Sequence, residues 1–327
     1  MIRREFIRVV AGAVAAWPKV VAAESSPRQA LVAMLVSGSS DGYSYNVRAF
    51  RHGLQEFGYR EGHGLEIVYR YADGDPARLP ALATELVKLK PDVIVTTSTS
   101  AALAAKQATT TIPIISAILT DPVGNRLAAS EARPGGNVTG VEFTLNGLAG
   151  KQLELARDVI PQTSSVGLLV QMKSASNPPQ RRDAEAAAKA LGISLMPTNI
   201  DRPDQLELAF QAFARDHVDW VIVLGDALFV SERDRIASLA LSSRLPTIFP
   251  VREHATAGGL ISYGVDIAAN HERVAYYVDK VLKGAKAGDL PIEFPTKLAL
   301  TINLKTAKML GLQIPEKLLL LADDVIE

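Results

Sequence analysis

Short apolar runs alternate with helical segments along most of this chain. In the first half, apolar runs at 31–36, 65–71, 93–97 and 113–119 are separated by segments whose apolar residues have helical spacing. Strands that alternate with helices of this length are joined by right-handed crossovers, which makes the sheet parallel. The pattern therefore predicts an α/β fold.

The second half repeats this order. It has predicted strands at 166–170, 194–200, 220–224 and 247–251, and predicted helices at 179–191, 203–215 and 232–242. The repetition predicts two doubly wound parallel-sheet lobes joined by a hinge, with a ligand cleft between them. A chain of 327 residues suits two such lobes of roughly 120–150 residues each.

The predicted join lies near 134–150, where Pro134-Gly-Gly-Asn137 is turn-forming. We expect lobe 1 to span 28–143 and lobe 2 to span 144–264. The rest of the chain is expected to return to the lobes. Part of 265–292 would complete lobe 1, and part of 293–327 would complete lobe 2.

Composition excludes several classes of site. The 35 basic residues are balanced by 35 acidic ones, so no general affinity for nucleic acid or anionic membrane is expected. The absence of cysteine excludes thiol catalysis, disulfides and thiolate metal sites. It also excludes a lipoprotein anchor, which needs a cysteine at the cleavage site. We expect no metal and no cofactor.

The first 23 residues have the features of a cleavable export signal. Arg3 and Arg4 form a positive region, an apolar stretch follows at 9–17, and Val21-Ala-Ala23 offers small residues for cleavage. The stretch is shorter than the ~20 residues that span a bilayer. The arginine pair fits the twin-arginine route as well as the general secretory one. We therefore expect a periplasmic protein with no membrane span after cleavage.

Ligands of open parallel sheets bind beyond the carboxyl ends of the strands, and the predicted loops there carry many hydroxyls. Hydroxyls and amides at a helix start suit a carboxylate, an aspartate suits an ammonium group, and aromatic rings suit an apolar side chain. The predicted ligand is a small amphiphilic solute such as an amino acid. The predicted ligand-binding residues are Ser39, Ser40, Tyr43, Ser98, Thr99, Ser100, Asp121, Pro122, Phe143, Asn177, Asp226, Ala227 and Tyr263.

Each of these residues also has a purely structural alternative. A hydroxyl such as Ser98 can cap a helix, and Asp121 before Pro122 is a common turn pair. Asn177 can cap the helix that follows Pro178, and Tyr263 can serve in packing. The coincidence of several loops, more than any single residue, favours a binding site.

A serine hydrolase is an alternative, because Gly38-Ser-Ser-Asp-Gly42 fits the G-x-S-x-G pattern with Ser40 as nucleophile. However, this motif follows the first strand, and none of the five histidines stands beside an acid in a strand-end loop. A second alternative is a ligand-sensing partner of a membrane receptor. We therefore predict a non-enzymatic binding protein and keep both alternatives open.

Several segments resemble the ABC transporter substrate-binding protein family that includes the tryptophan-binding TrpX proteins. The resemblance covers nearly the whole mature chain. The most specific matches are Arg133-Pro-Gly-Gly-Asn-Val-Thr-Gly140 and the stretch from Pro295 to Leu312, which contains Ile302-Asn-Leu-Lys-Thr-Ala-Lys308. The further matches are Arg48-Ala-Phe-Arg-His-Gly-Leu-Gln-Glu-Phe-Gly-Tyr59, Asp92-Val-Ile-Val-Thr-Thr-Ser-Thr99 and Asp121-Pro-Val-Gly124.

The resemblance implies two lobes of the periplasmic binding protein type I-like kind, a hinge, and a small organic ligand in the cleft. In some members that ligand is an aromatic amino acid. It also implies that a monomer presents the ligand to an ABC permease in the inner membrane. The loops 174–179 and 225–229 are less typical of the family.

Overall fold

The computed structural model describes residues 29–143, 147–295 and 298–327. The predicted signal peptide, residues 1–23, lies outside the described residues. The fold is the predicted α/β type, with two sheets that consist mainly of parallel strands.

The first sheet has six parallel strands in the order β2-β3-β1-β4-β5-β6. Its strands are β1 (Ala30–Val36), β2 (Arg60–Glu61), β3 (Gly64–Tyr71), β4 (Val93–Thr96), β5 (Ile114–Leu119) and β6 (Val138–Glu142). In the central strand β1, Val32, Met34 and Val36 belong to one apolar cluster, and Ala33 and Leu35 belong to another. Because side chains alternate along a strand, a continuous apolar run fits a sheet covered on both faces.

The second sheet has seven strands in the order β13-β12-β11-β10-β9-β7-β8. They are β7 (Ser165–Val170), β8 (Ser194–Asn199), β9 (Trp220–Val223), β10 (Thr247–Phe249), β11 (Ile261–Val265), β12 (Leu298–Asn303) and β13 (Asp324–Ile326). Strand β12 runs antiparallel to β11, and the other pairs are parallel. The second sheet is therefore mixed at one edge, where the C-terminal tail joins it.

The described residues form twelve α-helices. They are α1 (Ser44–Glu56), α2 (Leu79–Lys88), α3 (Thr99–Ala108), α4 (Leu148–Val159), α5 (Asn177–Leu191), α6 (Leu206–Arg215), α7 (Ala227–Ser231), α8 (Arg233–Ser242), α9 (Arg252–Thr256), α10 (Ile267–Leu282), α11 (Leu304–Leu310) and α12 (Glu316–Leu321). Short 3-10 turns lie at Pro76–Arg78, Pro203–Gln205 and Ala287–Asp289.

Helices cover both faces of the first sheet. Helices α1 and α10 share the apolar cluster on one face, and α2 and α3 share the cluster on the other. At Gly53 of α1, a Cβ atom would lie 2.7 Å from the carbonyl oxygen of Glu272 in α10. Glycine therefore lets these two helices pack closely, and α10 belongs spatially to the first lobe.

The chain crosses between the lobes three times. It leaves the first sheet after β6, returns between β11 and α10, and crosses again between Glu293 and β12. Before the last crossing, Glu293 is held beside β6, because the Glu142 amide donates to the Glu293 carbonyl at 2.8 Å.

Two local predictions differ from the structure. Strand β6 occupies part of the segment predicted as a turn-forming join. Its Gly140 has a φ of 146°, and a Cβ there would clash with the carbonyl of Ser116. The strand was missed because glycines interrupt its apolar pattern. The predicted helix at 232–242 is α8, but the separate helix α7 precedes it.

Candidate functional site

A cleft lies between the two lobes, beyond the carboxyl ends of their strands. Loops after β1, β3 and β4 form one wall, and loops after β7 and β9 form the other. The lining residues are Ser37, Tyr43, Gly74, Pro76, Leu79, Thr97, Ser98, Ser100, Ile118, Phe143, Gln171, Ser174, Ser176, Gly225, Asp226, Ala227, Val230, Val251 and Ile267. Among these residues there is no lysine, arginine or histidine.

Part of the lining is apolar. Tyr43 and Phe143 contribute aromatic rings, and Ile118, Val230 and Ile267 contribute aliphatic side chains. Tyr43 is buried and its phenol hydrogen bonds to Thr97, while burial raises the pKa of that phenol. The phenol therefore stays neutral, and this part of the cleft suits an apolar group.

The hydroxyls of the first lobe bond to one another. Ser37 Oγ and Ser98 Oγ are 2.6 Å apart, and the Ser37 amide donates to Thr97 Oγ1 at 2.9 Å. Ser98 is also the N-cap of α3, since its Oγ accepts the Ala101 amide at 3.1 Å. Ser98 thus fills its structural role and lines the cleft at once. This wall is held in place without a ligand.

Asn177 fixes the second wall from behind. Its side-chain oxygen accepts the Gln171 amide at 2.7 Å, and its nitrogen donates to the Gly225 carbonyl at 3.1 Å. These bonds tie the loop after β7 to the loop after β9. Asn177 is fully buried and is not part of the lining. Its role is therefore to position the residues around Asp226.

Asp226 carries the one carboxylate of the cleft lining. Its Oδ1 accepts the Leu228 amide at 2.9 Å, which makes it the N-cap of α7, and it also bonds to the Ser174 hydroxyl. The Gln171 amide, in its better-bonded orientation, donates to the two carboxylate oxygens at 2.7 and 3.2 Å.

These donors are all neutral, and burial raises the pKa of the Asp226 carboxyl to about 6. A carboxylate whose pKa is raised in this way is incompletely stabilised by its surroundings. A cationic group in the cleft would therefore be attracted to this position.

Six of the thirteen predicted ligand-binding residues line the cleft. They are Tyr43, Ser98, Ser100, Phe143, Asp226 and Ala227. They come from both lobes, as the strand-end rule leads one to expect.

The other seven residues lie outside the lining. Besides Asn177, Thr99 is buried, and its hydroxyl accepts the Thr120 amide at 2.9 Å. Ser39 accepts the Gly42 amide within a turn. Tyr263 lies in β11, where its carbonyl accepts a bond from Gln152.

The pair Asp121 and Pro122 forms a turn outside the cleft. Asp121 has a φ of 48°, and its carboxylate accepts the Gly124 amide at 2.9 Å. The Pro122 carbonyl accepts the Leu127 amide at 2.8 Å. In the structure, Asp121 and Pro122 therefore form a turn, and neither residue lines the cleft.

The lining also contains polar residues that were not predicted. Ser37, Thr97, Gln171, Ser174 and Ser176 all follow a strand directly or closely. Gln171 comes directly after β7, as Ser37 comes directly after β1. Reading the first position after every strand would therefore have identified both residues.

The lobes touch at both ends of the cleft, so the structure is closed. The Ser39 amide donates to Ser231 Oγ at 3.2 Å, and the Ala175 amide donates to Ser100 Oγ at 3.0 Å. Each bond joins the first lobe to the second. A ligand in the cleft would be enclosed by both walls.

The hydrolase alternative lacks a catalytic partner in the described part of the chain. There, Ser40 Oγ has Asp41 as its hydrogen-bond partner at 3.5 Å, and no histidine bonds to it. His254 and His271 are buried and bond to backbone carbonyls. Among the described residues, the partner of Ser40 is therefore the neighbouring Asp41 carboxylate, and the serine–histidine pair of that alternative is not formed.

Residues 29–143, 147–295 and 298–327 contain no group of three or more histidine, cysteine, aspartate or glutamate side chains placed to hold a metal ion. None of the helices there has the length and apolarity needed to cross a membrane.

Most of the chain is similar to known proteins. A family model described as "ABC transporter substrate binding protein" matches residues 31–326. The tyrosine-binding protein of Clostridioides difficile (strain R20291) is 27% identical over 266 residues, which cover 81% of this chain and 76% of that protein.

Two solved structures are similar over 91% of this chain. One is a conserved domain protein from Vibrio cholerae, which is 29% identical, with a TM-score of 0.86 over 99% of that chain. The other is an ABC domain from Streptococcus pneumoniae in complex with L-Trp. It is 28% identical, with a TM-score of 0.85 over its whole length.

Proposed function

The chain belongs to the ABC transporter substrate-binding protein family, and we propose that its cleft captures a free amino acid with an aromatic or other apolar side chain. The lobes would close on this ligand and present it to an ABC permease. The proposal concerns binding, with no chemical change to the ligand.

The proposal rests on the carboxylate of Asp226, whose hydrogen-bond donors leave its negative charge uncompensated. Its partners are neutral donors, and the described residues that line the cleft include no positive side chain. An ammonium group would supply the missing charge and up to three hydrogen bonds. A sugar would leave the negative charge uncompensated, and a simple carboxylic acid would add a second one.

The carboxylate of the amino acid has a complementary position. Helix α3 of the first lobe begins at the cleft, and Ser98 directly precedes it. Helix N-termini favour negative groups, and nearby hydroxyls can donate to them. A neutral wall of this kind binds a carboxylate without an arginine.

The side chain of the ligand would lie against Tyr43, Phe143 and the aliphatic residues. The relatives support the same class, since one is a tyrosine-binding protein and another was solved with L-Trp.

We further propose that the protein works in the periplasm. Residues 1–23 would direct export and be removed, and no cysteine is available for a lipid anchor. The mature chain would act as a monomer beside an inner-membrane permease, which is the partner that the family implies.

A thermal-shift screen tests the ligand class. The probes are L-tryptophan, L-tyrosine, L-phenylalanine, glucose and benzoate. We expect the aromatic amino acids to raise the melting temperature, since a ligand at about 100 times its Kd stabilises the folded state by about 2.7 kcal/mol. Stabilisation by glucose or benzoate alone would contradict the proposal.

Two matched variants serve as controls for this screen. Asp226→Asn should reduce the shift to about half or less, because a 10-fold loss of affinity already lowers the stabilisation to about 1.4 kcal/mol. Asp121→Asn, in a turn outside the cleft lining, should retain it. The Asp121 backbone has a φ of 48°, a conformation that asparagine tolerates.

A further inference from the structure

The short helix α7 connects the ligand cleft to a contact between the lobes. It begins directly after Asp226, and its residues Ala227 and Val230 line the cleft. Its last residue, Ser231, lies outside the lining and touches the first lobe. One rigid turn of helix therefore has the ligand site at one end and a lobe contact at the other.

The lobe contact at Ser231 is close. Its hydroxyl accepts the Ser39 amide at 3.2 Å, and a Cβ atom on Gly42 would lie 3.2 Å from the Ser231 Cα. The same turn of the first lobe is held together by the bond from the Gly42 amide to Ser39 Oγ. The second lobe thus packs directly on the backbone of this turn.

A second glycine of the first lobe contacts the other part of α7. A Cβ on Gly74 would lie 3.0 Å from the Leu228 Cα and 3.1 Å from the Leu228 Cδ1. Helix α7 is therefore held between two glycine-containing loops of the first lobe. Such close approach of backbones is possible because glycine has no side chain.

We propose that Ser231 and Gly42 form a latch that sets the affinity and the release rate of the ligand without touching it. The inference rests on the proposed function for the choice of ligand, and on the two-lobed fold for the rest. Binding at Asp226 fixes the start of α7, and α7 then packs on the Ser39–Gly42 turn. Each latch contact stabilises the closed state over the open one.

A substitution at Gly42 can weaken closure of the lobes without unfolding the first lobe. Its φ lies outside the left-handed region, so the first lobe accepts a larger residue there without backbone strain. In the closed state, two of the three nearest neighbours of a new Cβ are atoms of Ser231. A larger side chain at this position should therefore oppose closure more than folding.

Gly42→Val should weaken L-tryptophan binding about tenfold, mainly through faster dissociation, since it lowers the population of the closed state. Stopped-flow fluorescence would measure both rate constants. Gly136→Val is the matched control, because a Cβ there has no neighbour within 4 Å and its φ also lies outside the left-handed region. Equal dissociation rates for Gly42→Val, Gly136→Val and wild type would overturn the latch.

A disulfide across the latch gives a second test. The chain has no cysteine, so the double variant Gly42→Cys, Ser231→Cys contains a single possible pair. A Cβ-to-Cα distance of 3.2 Å is compatible with the Cβ separation of about 3.5–4.5 Å in disulfides. We expect L-tryptophan to accelerate formation of this bond under mild oxidation.

Oxidised protein that was loaded with tritium-labelled L-tryptophan should release it at least about 100-fold more slowly than reduced protein, because it cannot reopen. Dithiothreitol should restore release. Exchange at the same rate in both forms, or failure of two accessible thiols to pair, would overturn the proposal.

Small-angle X-ray scattering tests the latch without any ligand. Gly42→Val should have a larger radius of gyration than wild type and than Gly136→Val. Equal radii would contradict the latch whatever the ligand is. If L-tryptophan does not bind to the wild-type protein but the radii differ, the ligand assignment fails and the latch stands.

Discussion

The two walls of the cleft differ in how completely their polar groups are satisfied. On the first lobe, Ser37, Thr97 and Ser98 bond to one another and to the start of α3. On the second lobe, Asp226 has neutral donors but no cation, and its pKa is raised to about 6 by burial. The polar groups of the first wall are satisfied without a ligand, and we propose that a cationic ligand group completes the second.

This difference suggests a division of labour. The first wall is neutral and already ordered. It can therefore bind the carboxylate of the ligand with little loss of side-chain entropy. An incompletely stabilised charge gives selectivity, because a ligand without a cation leaves it buried and unpaired. Changes on the second wall should therefore affect affinity more than changes on the first.

The largest effect is expected from Asp226→Asn. Loss of the charged partner should weaken L-tryptophan binding by about 1.5–3 kcal/mol, roughly 10- to 150-fold. Isothermal titration calorimetry measures this change. The variant should also lose the stability cost of a buried charge at neutral pH. An affinity equal to that of wild type would show that Asp226 does not bind the ammonium group.

The next effect is a pH dependence of binding. An ammonium ligand prefers ionised Asp226, so affinity should fall by up to about tenfold per pH unit below a pH of about 6. Calorimetry in buffers of different ionisation enthalpy should then detect proton release on binding. In Asp226→Asn, the affinity should no longer depend on pH in this range. The same pH dependence in the variant and in wild type would mean that another group is responsible.

The unliganded protein should show the opposite trend in stability. A carboxyl whose pKa is raised in the folded state keeps its proton longer than it does in the unfolded chain. The Asp226 contribution to the free energy of unfolding should therefore decline as pH rises from about 4 to about 6. The difference between wild type and Asp226→Asn in urea titrations isolates it. A difference that does not change with pH would contradict the raised pKa.

A smaller effect is expected on the first wall. Ser98→Ala removes the N-cap of α3 and should lower the free energy of unfolding by about 1 kcal/mol. Because Ser98 is one of several hydroxyls there, ligand affinity should fall less than in Asp226→Asn. Chemical denaturation and calorimetry on one sample give both values. A larger loss of affinity than in Asp226→Asn would reverse the comparison of the walls.

The smallest effect is expected from Ser40→Ala. Ser40 is exposed and lies outside the cleft lining, so affinity and stability should change by less than about 0.5 kcal/mol. A chromogenic-ester assay of wild type and variant accompanies this measurement. Ester hydrolysis that disappears in the variant would revive the hydrolase alternative.

The sequence was sufficient for most of the fold, because buried parallel strands and their crossover helices have strong local patterns. Strand β1, for example, was predicted to within one residue of its observed bounds. Strand β6 was missed because Gly140 interrupts its apolar pattern. Glycine is needed there for close contact with Ser116 in β5, and a contact between distant residues cannot be recognised from the local sequence. The antiparallel strand β12 was predicted only as an extended segment, since its partner is set by the fold.

The site was less predictable, because a polar residue after a strand can point into the cleft or back into its own loop. Asp226 and Asp121 both follow strands and both accept a backbone amide, yet Asp226 lines the cleft and Asp121 closes a turn. The positive φ of Asp121 distinguishes them, and no local pattern reveals it. Gln171 was missed because the ligand was expected to bind to hydroxyls, carboxylates and aromatic rings, and side-chain amides were not considered.

The ammonium role of Asp226 is tested most directly by calorimetry with L-tryptophan and indole-3-propionate. The two compounds have the same ring, chain length and carboxylate, and differ in the amino group. We expect indole-3-propionate to bind to the wild-type protein at least about 30-fold more weakly, a difference of about 2 kcal/mol. Equal affinities for the two compounds would contradict the proposed role.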